Sequence, residues 1–182
     1  MEISAQRYEE IAVEEAFHRC ELHDGRLREK PWTSESHNVV QSRLVYRLTV
    51  QLDVDVYDLR ANLTRLRCDE RYYYIPDLAV ITVPGSRSLA LCSGRLEVFR
   101  EPLPLVGEVW SPSIGTYDDD ERLSRYIQRG DQEVWRLHPF EYTLTAWGRQ
   151  SDGTYVKSVH RSGMIEPVAL PGVIIDIDAL FA

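Results

Sequence analysis

Two apolar runs in this chain each carry one carboxylate. Tyr74-Ile75-Pro76-Asp77-Leu78-Ala79-Val80-Ile81 holds Asp77, and Leu103-Pro104-Leu105-Val106-Gly107-Glu108-Val109-Trp110 holds Glu108. An acidic side chain in a buried run is costly unless it has hydrogen-bond donors, an opposite charge or a metal. The two acids stand 31 residues apart, a separation that lets adjacent strands bring them together around a divalent cation. Oxygen ligands on neighbouring strands suit Mg²⁺ or Mn²⁺, which take few protein carboxylates and leave positions for phosphate and water. The backbone carbonyl of Val109 is a candidate third oxygen. The plainer alternative is an Asp held by backbone N–H groups and a Glu in a structural ion pair.

The elements around these residues follow from periodicity. Ser4 is a candidate cap for a helix from Tyr8 to about Phe17, and Asp24-Gly25 suits the turn of a hairpin. Residues 31–36 form a turn-rich stretch ending in a helix cap. Val40, Leu44, Leu48 and Leu52 then recur at four-residue spacing, the pattern of an amphipathic helix of about four turns. Period-two segments at 54–57, 63–67, 72–83 and 103–110 read as strands, with Pro76 demanding an irregularity in the third. Asp118 and Glu121 have the spacing of a capping box. The helix they would open carries Leu123, Tyr126 and Ile127 and stops at Gly130. Strands at 133–137, 142–147 and 155–160 follow, the last two joined at Asp152-Gly153.

Composition narrows the function. The 182 residues suit one domain spanning 1–182, with a core that needs no staples. Cys20, Cys68 and Cys92 have neither disulfide nor zinc spacing. No apolar run reaches the roughly 20 residues of a membrane span, and the N-terminus lacks a signal pattern, so a cytoplasmic location is expected. A net charge of −8 argues against general polyanion binding, although a bound cation reverses the local field. Arg60, Arg65, Arg67 and Arg71 form one basic group, and Arg122, Arg125 and Arg129 another. Phosphate-loop, dinucleotide and serine-hydrolase motifs are absent from the sequence, so no nucleotide cofactor is expected.

Ile75-Pro76-Asp77-Leu78, Gly107-Glu108-Val109-Trp110-Ser111-Pro112-Ser113 and an acidic helix start reaching Tyr126 together resemble a bacterial family of restriction-endonuclease-like proteins of the PD-(D/E)xK superfamily. Glu21-Leu22-His23-Asp24-Gly25-Arg26-Leu27, Ser34-Glu35-Ser36-His37 and Pro171-Gly172-Val173-Ile174-Ile175-Asp176-Ile177 extend that resemblance along nearly the whole chain. It implies an α/β, restriction-endonuclease-like fold: an αβββαβ core, a mixed central sheet flanked by helices, and here extra C-terminal strands. It also implies a Mg²⁺-dependent DNA endonuclease, by analogy a homodimer.

On this resemblance Asp77 and Glu108 hold the metal, with Glu21 as an upstream acid and His37 near the phosphate or nucleophile. The superfamily lysine after the Glu is missing, because position 110 is Trp110. Relatives with that departure carry a lysine on the next helix, and there this chain has Arg122, with Tyr126 one turn on. Arginine can hold phosphate but is no base, so a catalytically degenerate nuclease fold, serving as a DNA-binding or protein-interaction module, is the alternative. If Asp77 is an unpaired buried charge, Asp77→Ala is expected to leave the thermal midpoint near or above wild type.

Overall fold

The computed structural model describes residues 2–84, 96–112 and 116–182, with side chains from 120 onward in the last segment. Cys92 and Ser113 lie outside the described residues, as does the side chain of Asp118.

Helix α1 (Ala5–Ile11) is capped by Ser4, whose hydroxyl accepts from the Arg7 amide. It ends earlier than the pattern suggests. Glu14 is extended (φ −75°, ψ 141°), and only a short 3-10 turn, Glu15–Phe17, follows. The extended residue redirects the chain into hairpin β1 (Cys20–His23) and β2 (Arg26–Glu29). Its turn places Asp24 and Gly25 at positive φ, 49° and 71°, as the primed hairpin turns require. Helix α2 (Glu35–Thr49) starts at the Ser34 cap and buries His37, Val40, Gln41, Leu44 and Leu48.

The predicted strand over 72–83 is two strands. β5 (Tyr73–Tyr74) and β6 (Leu78–Thr82) are separated by Ile75-Pro76-Asp77, since proline can offer no ladder N–H. The break hands the chain from one sheet to another. With β3 (Tyr57–Arg60), β4 (Arg65–Arg67) and β7 (Val98–Phe99), the first sheet runs β2-β1-β5-β4-β7. Adding β8 (Leu105–Val109), β9 (Glu133–His138), β10 (Thr143–Arg149) and β11 (Tyr155–His160), the second runs β11-β10-β9-β8-β6-β3. In the second sheet β8 and β9 are parallel and the remaining pairs antiparallel. The parallel pair is bridged by helix α3 (Thr116–Arg129). That helix begins before Asp118, so Asp118 is inside it and does not cap it. Gly130, at φ 90°, ends it. A short ribbon of β12 (Met164–Ile165) and β13 (Ile175–Asp176) leads into helix α4 (Ile177–Phe181).

Alternation along β6 and β8 sends side chains to two cores. Leu78, Val80, Leu105 and Val109 pack with Val40, Leu44 and Leu48 of α2 and Ile177 and Leu180 of α4. Ala79, Ile81 and Val106 pack with Leu123 and Tyr126 of α3 and with Leu66, Tyr74 and Phe99 of the first sheet. No helix among the described residues is long and apolar enough to cross a membrane.

Leu44 is fully enclosed between α2 and the sheet. Leu44→Ala should lower unfolding free energy by about 2–5 kcal/mol, read from urea unfolding. A loss under about 1 kcal/mol would mean α2 is not seated as described.

Candidate functional site

The register of β6 on β8 pairs Leu78 with Gly107, so one step outward Asp77 faces Glu108 across the strands. Glu108 shares its strand face with Val106, the side covered by α3. The amide of Asp77 donates to Glu108 Oε2 (3.3 Å), and the amide of Val109 donates to Asp77 Oδ2 (2.8 Å). Both acids are buried, at 0% and 2% exposure.

Asp77 is gripped from three elements. His37 Nε2, on the first turn of α2, lies 2.8 Å from Oδ2, and Lys30 Nζ donates to Oδ1 at 2.7 Å. Gln41, one turn after His37, donates to the Asp77 backbone carbonyl at 2.7 Å, and the Asn62 amide donates there too at 3.2 Å. His37 Nδ1 is buried without a partner.

Glu108 is held from α3. Tyr126 donates its hydroxyl to Oε1 at 2.7 Å, and Arg122 Nη1 stands 3.4 Å from the same oxygen. These two residues are i and i+4 on one helix and so face one way. Arg122 makes its closest ion pair with Glu21 of β1, two parallel bonds at 2.8 Å. Such fork-to-fork pairs are the strong ones. Its guanidinium lies over the Tyr74 ring, 4.7 Å from the centroid, and its Nε is buried without a partner. Glu21 also accepts from the Ile75 amide at 2.7 Å.

The sequence-predicted residues are therefore gathered, in partnerships the pattern did not specify. His37 reaches Asp77. Arg122 reaches Glu21 and Glu108, and Glu21 spends both oxygens on Arg122 and Ile75. Trp110 continues the sheet through its amide bond to the Leu137 carbonyl (2.8 Å), and its ring stacks on His138, centroids 4.4 Å apart. Lys30, Gln41 and Asn62 were not recognised from the sequence. Lys30 lies in a polar hairpin end, Gln41 on what reads as a helix's wet side, and Asn62 in a loop. The one available signal was that Gln41 follows His37 by four residues.

Two facing carboxylates offer hard oxygens of the kind Mg²⁺ and Mn²⁺ take, with further positions left for a backbone carbonyl and water. Among the described residues no group of three or more His, Cys, Asp or Glu could hold a metal ion. A divalent cation here would rest on Asp77 and Glu108, without Glu21.

The charges set opposite protonation tendencies. Burial alone would raise the Asp77 carboxyl, but Lys30 and then His37 outweigh it and hold it well below the ordinary carboxylate range. Burial drives Glu108 up, Arg122 pulls it back and the negative Asp77 pushes it higher, to about 8. Tyr126 is likewise raised by burial, and by Glu108.

A family model described as "Putative restriction endonuclease" (Uma2) matches residues 5–178. Among solved structures, the chain is similar to a putative nuclease belonging to DUF820 from Anabaena variabilis ATCC 29413. The TM-score is 0.72 at 17% identity, covering 89% of each chain. That identity speaks to a shared fold. No match was found among curated proteins.

A carboxyl raised on folding contributes stability below its unfolded pKa and loses it as pH climbs through the folded value. For Glu108 that window runs from about 4.5 to about 8. Asp77 acts the other way, and only below its ordinary 3.8. The metal-free thermal midpoint should fall between pH 5 and 8.5, and Glu108→Gln should flatten that slope. An equally steep slope in the variant would count against the assignment.

Proposed function

The chain belongs to the Uma2 family of putative restriction endonucleases, and from that membership and its site we propose a Mg²⁺-dependent endonuclease that hydrolyses DNA phosphodiester bonds. The observation that carries the reading is the pair Asp77 and Glu108, set opposite each other on adjacent strands by the Leu78–Gly107 register. Donors from α2, α3 and the hairpin converge on that pair.

Asp77 and Glu108, with the Val109 carbonyl, would hold the cation. Once bound, it supplies Lewis-acid polarisation of a non-bridging phosphate oxygen and a lowered pKa for water. His37 and the Val109 amide fix the Asp77 carboxylate in one rotamer, and Tyr126 does the same for Glu108. Preorganised groups of this kind need not reorganise as charge develops. Arg122, anchored by Glu21, places a guanidinium beside Glu108, where its positive charge would offset that of a bound phosphate. Arginine stays protonated at every working pH, so Arg122 holds charge and does not take a proton from water.

One observation favours the second reading, a nuclease fold kept as a DNA-binding or protein-interaction module. All six carboxylate oxygens of Asp77, Glu108 and Glu21 already have donors within the protein. Incubation with supercoiled plasmid and single-stranded oligonucleotide in Mg²⁺, Mn²⁺ or EDTA separates the two. The endonuclease reading expects cleavage that needs the cation and disappears in Asp77→Asn. Cation-bound protein that cuts neither substrate supports the module reading instead.

Asp77 is not an unpaired charge, so its removal should no longer relieve strain. Asp77→Ala leaves the Lys30 ammonium buried without its counter-ion, a change that costs about 3–5 kcal/mol. Its thermal midpoint should drop well below wild type, while Asp77→Asn loses less. A midpoint at or above wild type in the alanine variant would show Lys30 is not committed to Asp77.

A further inference from the structure

The proposed hydrolase has no lysine two positions after its glutamate, since Trp110 stands there with its ring on His138. Lys30 reaches the carboxylate pair at Asp77. It directly follows β2, and its amide is pinned to the Arg19 carbonyl at 2.9 Å. Its side chain runs inward and is 7% exposed. All three ammonium protons are used, each at 2.7 Å, on Asp77 Oδ1, the Asn62 side-chain oxygen and the Ile75 carbonyl.

Two of those acceptors are neutral. An ion pair needs only the carboxylate, whereas the two added oxygens fix Nζ at one point in space. Asn62 adopts φ 57°, a left-handed conformation that asparagine tolerates better than most residues. From there its side chain faces Lys30 while its amide bonds the Asp77 carbonyl. Asp77 Oδ2 already accepts two bonds, from His37 and Val109. Oδ1 accepts one, from Lys30, and has a lone pair left over.

We infer that Lys30 supplies, from the hairpin, the ammonium this site lacks at position 110, and that it shares Asp77 Oδ1 with any bound divalent cation. Two positive charges on one oxygen repel, so Lys30 weakens cation binding. Held at that point, the ammonium acts through its charge, which stabilises the negative charge that builds on the phosphate beside the cation during hydrolysis. This rests on the endonuclease reading for its chemical half. The cation half is independent of turnover.

The test titrates full-length protein with Mn²⁺ by calorimetry and follows plasmid cleavage in parallel, for wild type, Lys30→Met, Lys30→Arg and Asn62→Gly. Far-UV circular dichroism checks folding. Glycine at 62 keeps the positive φ accessible while removing one acceptor from Nζ. The inference expects the Mn²⁺ Kd of Lys30→Met to fall about tenfold or more while cleavage drops by about 10² or more, the scale of losing one charge-stabilising donor. Lys30→Arg should keep a Kd near wild type and part of the turnover, and Asn62→Gly should shift both readouts as the methionine does, by less.

An unchanged Kd in Lys30→Met overturns the inference, as does loss of Mn²⁺ binding together with activity, which would make Lys30 a structural prop. Should Lys30→Met fail to fold, an unchanged Kd in Asn62→Gly overturns it. Wild type that binds Mn²⁺ yet cuts nothing sinks the endonuclease reading, and the Lys30 inference then stands or falls on the Kd alone.

Discussion

Everything at the centre of this molecule depends on neutralising buried negative charge. Asp77, Glu108 and Glu21 are each almost wholly removed from water, where an isolated carboxylate is prohibitively costly, and burial accordingly pushes Glu108 toward its protonated form. The protein answers with Lys30 and Arg122, two cations 92 residues apart in the chain, backed by hydrogen bonds from His37, Tyr126 and three backbone amides. The hairpin must present Lys30 and Glu21, α2 must present His37, and α3 must present Arg122 and Tyr126. The positions of those elements around the sheet are thereby constrained by charge as well as by apolar packing.

Pro76 is the backbone half of the same arrangement. A continuous strand through 72–83 would carry Asp77 in one ladder. The interruption lets β5 pair within the first sheet and β6 within the second. Asp77 sits where the chain passes between them. Its carbonyl, freed from regular pairing, is recovered by Gln41 and Asn62, as a buried acceptor requires.

Much of this was legible in the sequence. The spacing of Val40, Leu44 and Leu48 marked α2, Asp24-Gly25 marked the hairpin, and the acids within apolar runs marked the buried carboxylate pair. What stayed hidden was long-range. Lys30 and Asp77 are 47 residues apart, and Glu21 and Arg122 are 101 apart. No local period records such a pairing, and lysine at a hairpin end looks like any solvated charge. The end of α1 at Ile11 was equally unmarked, because Glu14 is an ordinary helix former whose extended backbone answers to the hairpin beyond it. The start of α3 was misplaced because Asp118 and Glu121 fit a cap equally well inside a first turn.

The interlocking of these charges also bears on how such a chain can change over generations. Losing one acid strands a buried cation, and losing one cation strands an acid, each at a cost comparable to much of a domain's net stability. Drift at any one of these positions is therefore opposed by folding itself, whether or not the site is in use. Swapping an ion pair for well-packed apolar residues together can be nearly neutral. A lineage freed from selection on chemistry would keep the full set for a long time, and the charges would leave in pairs.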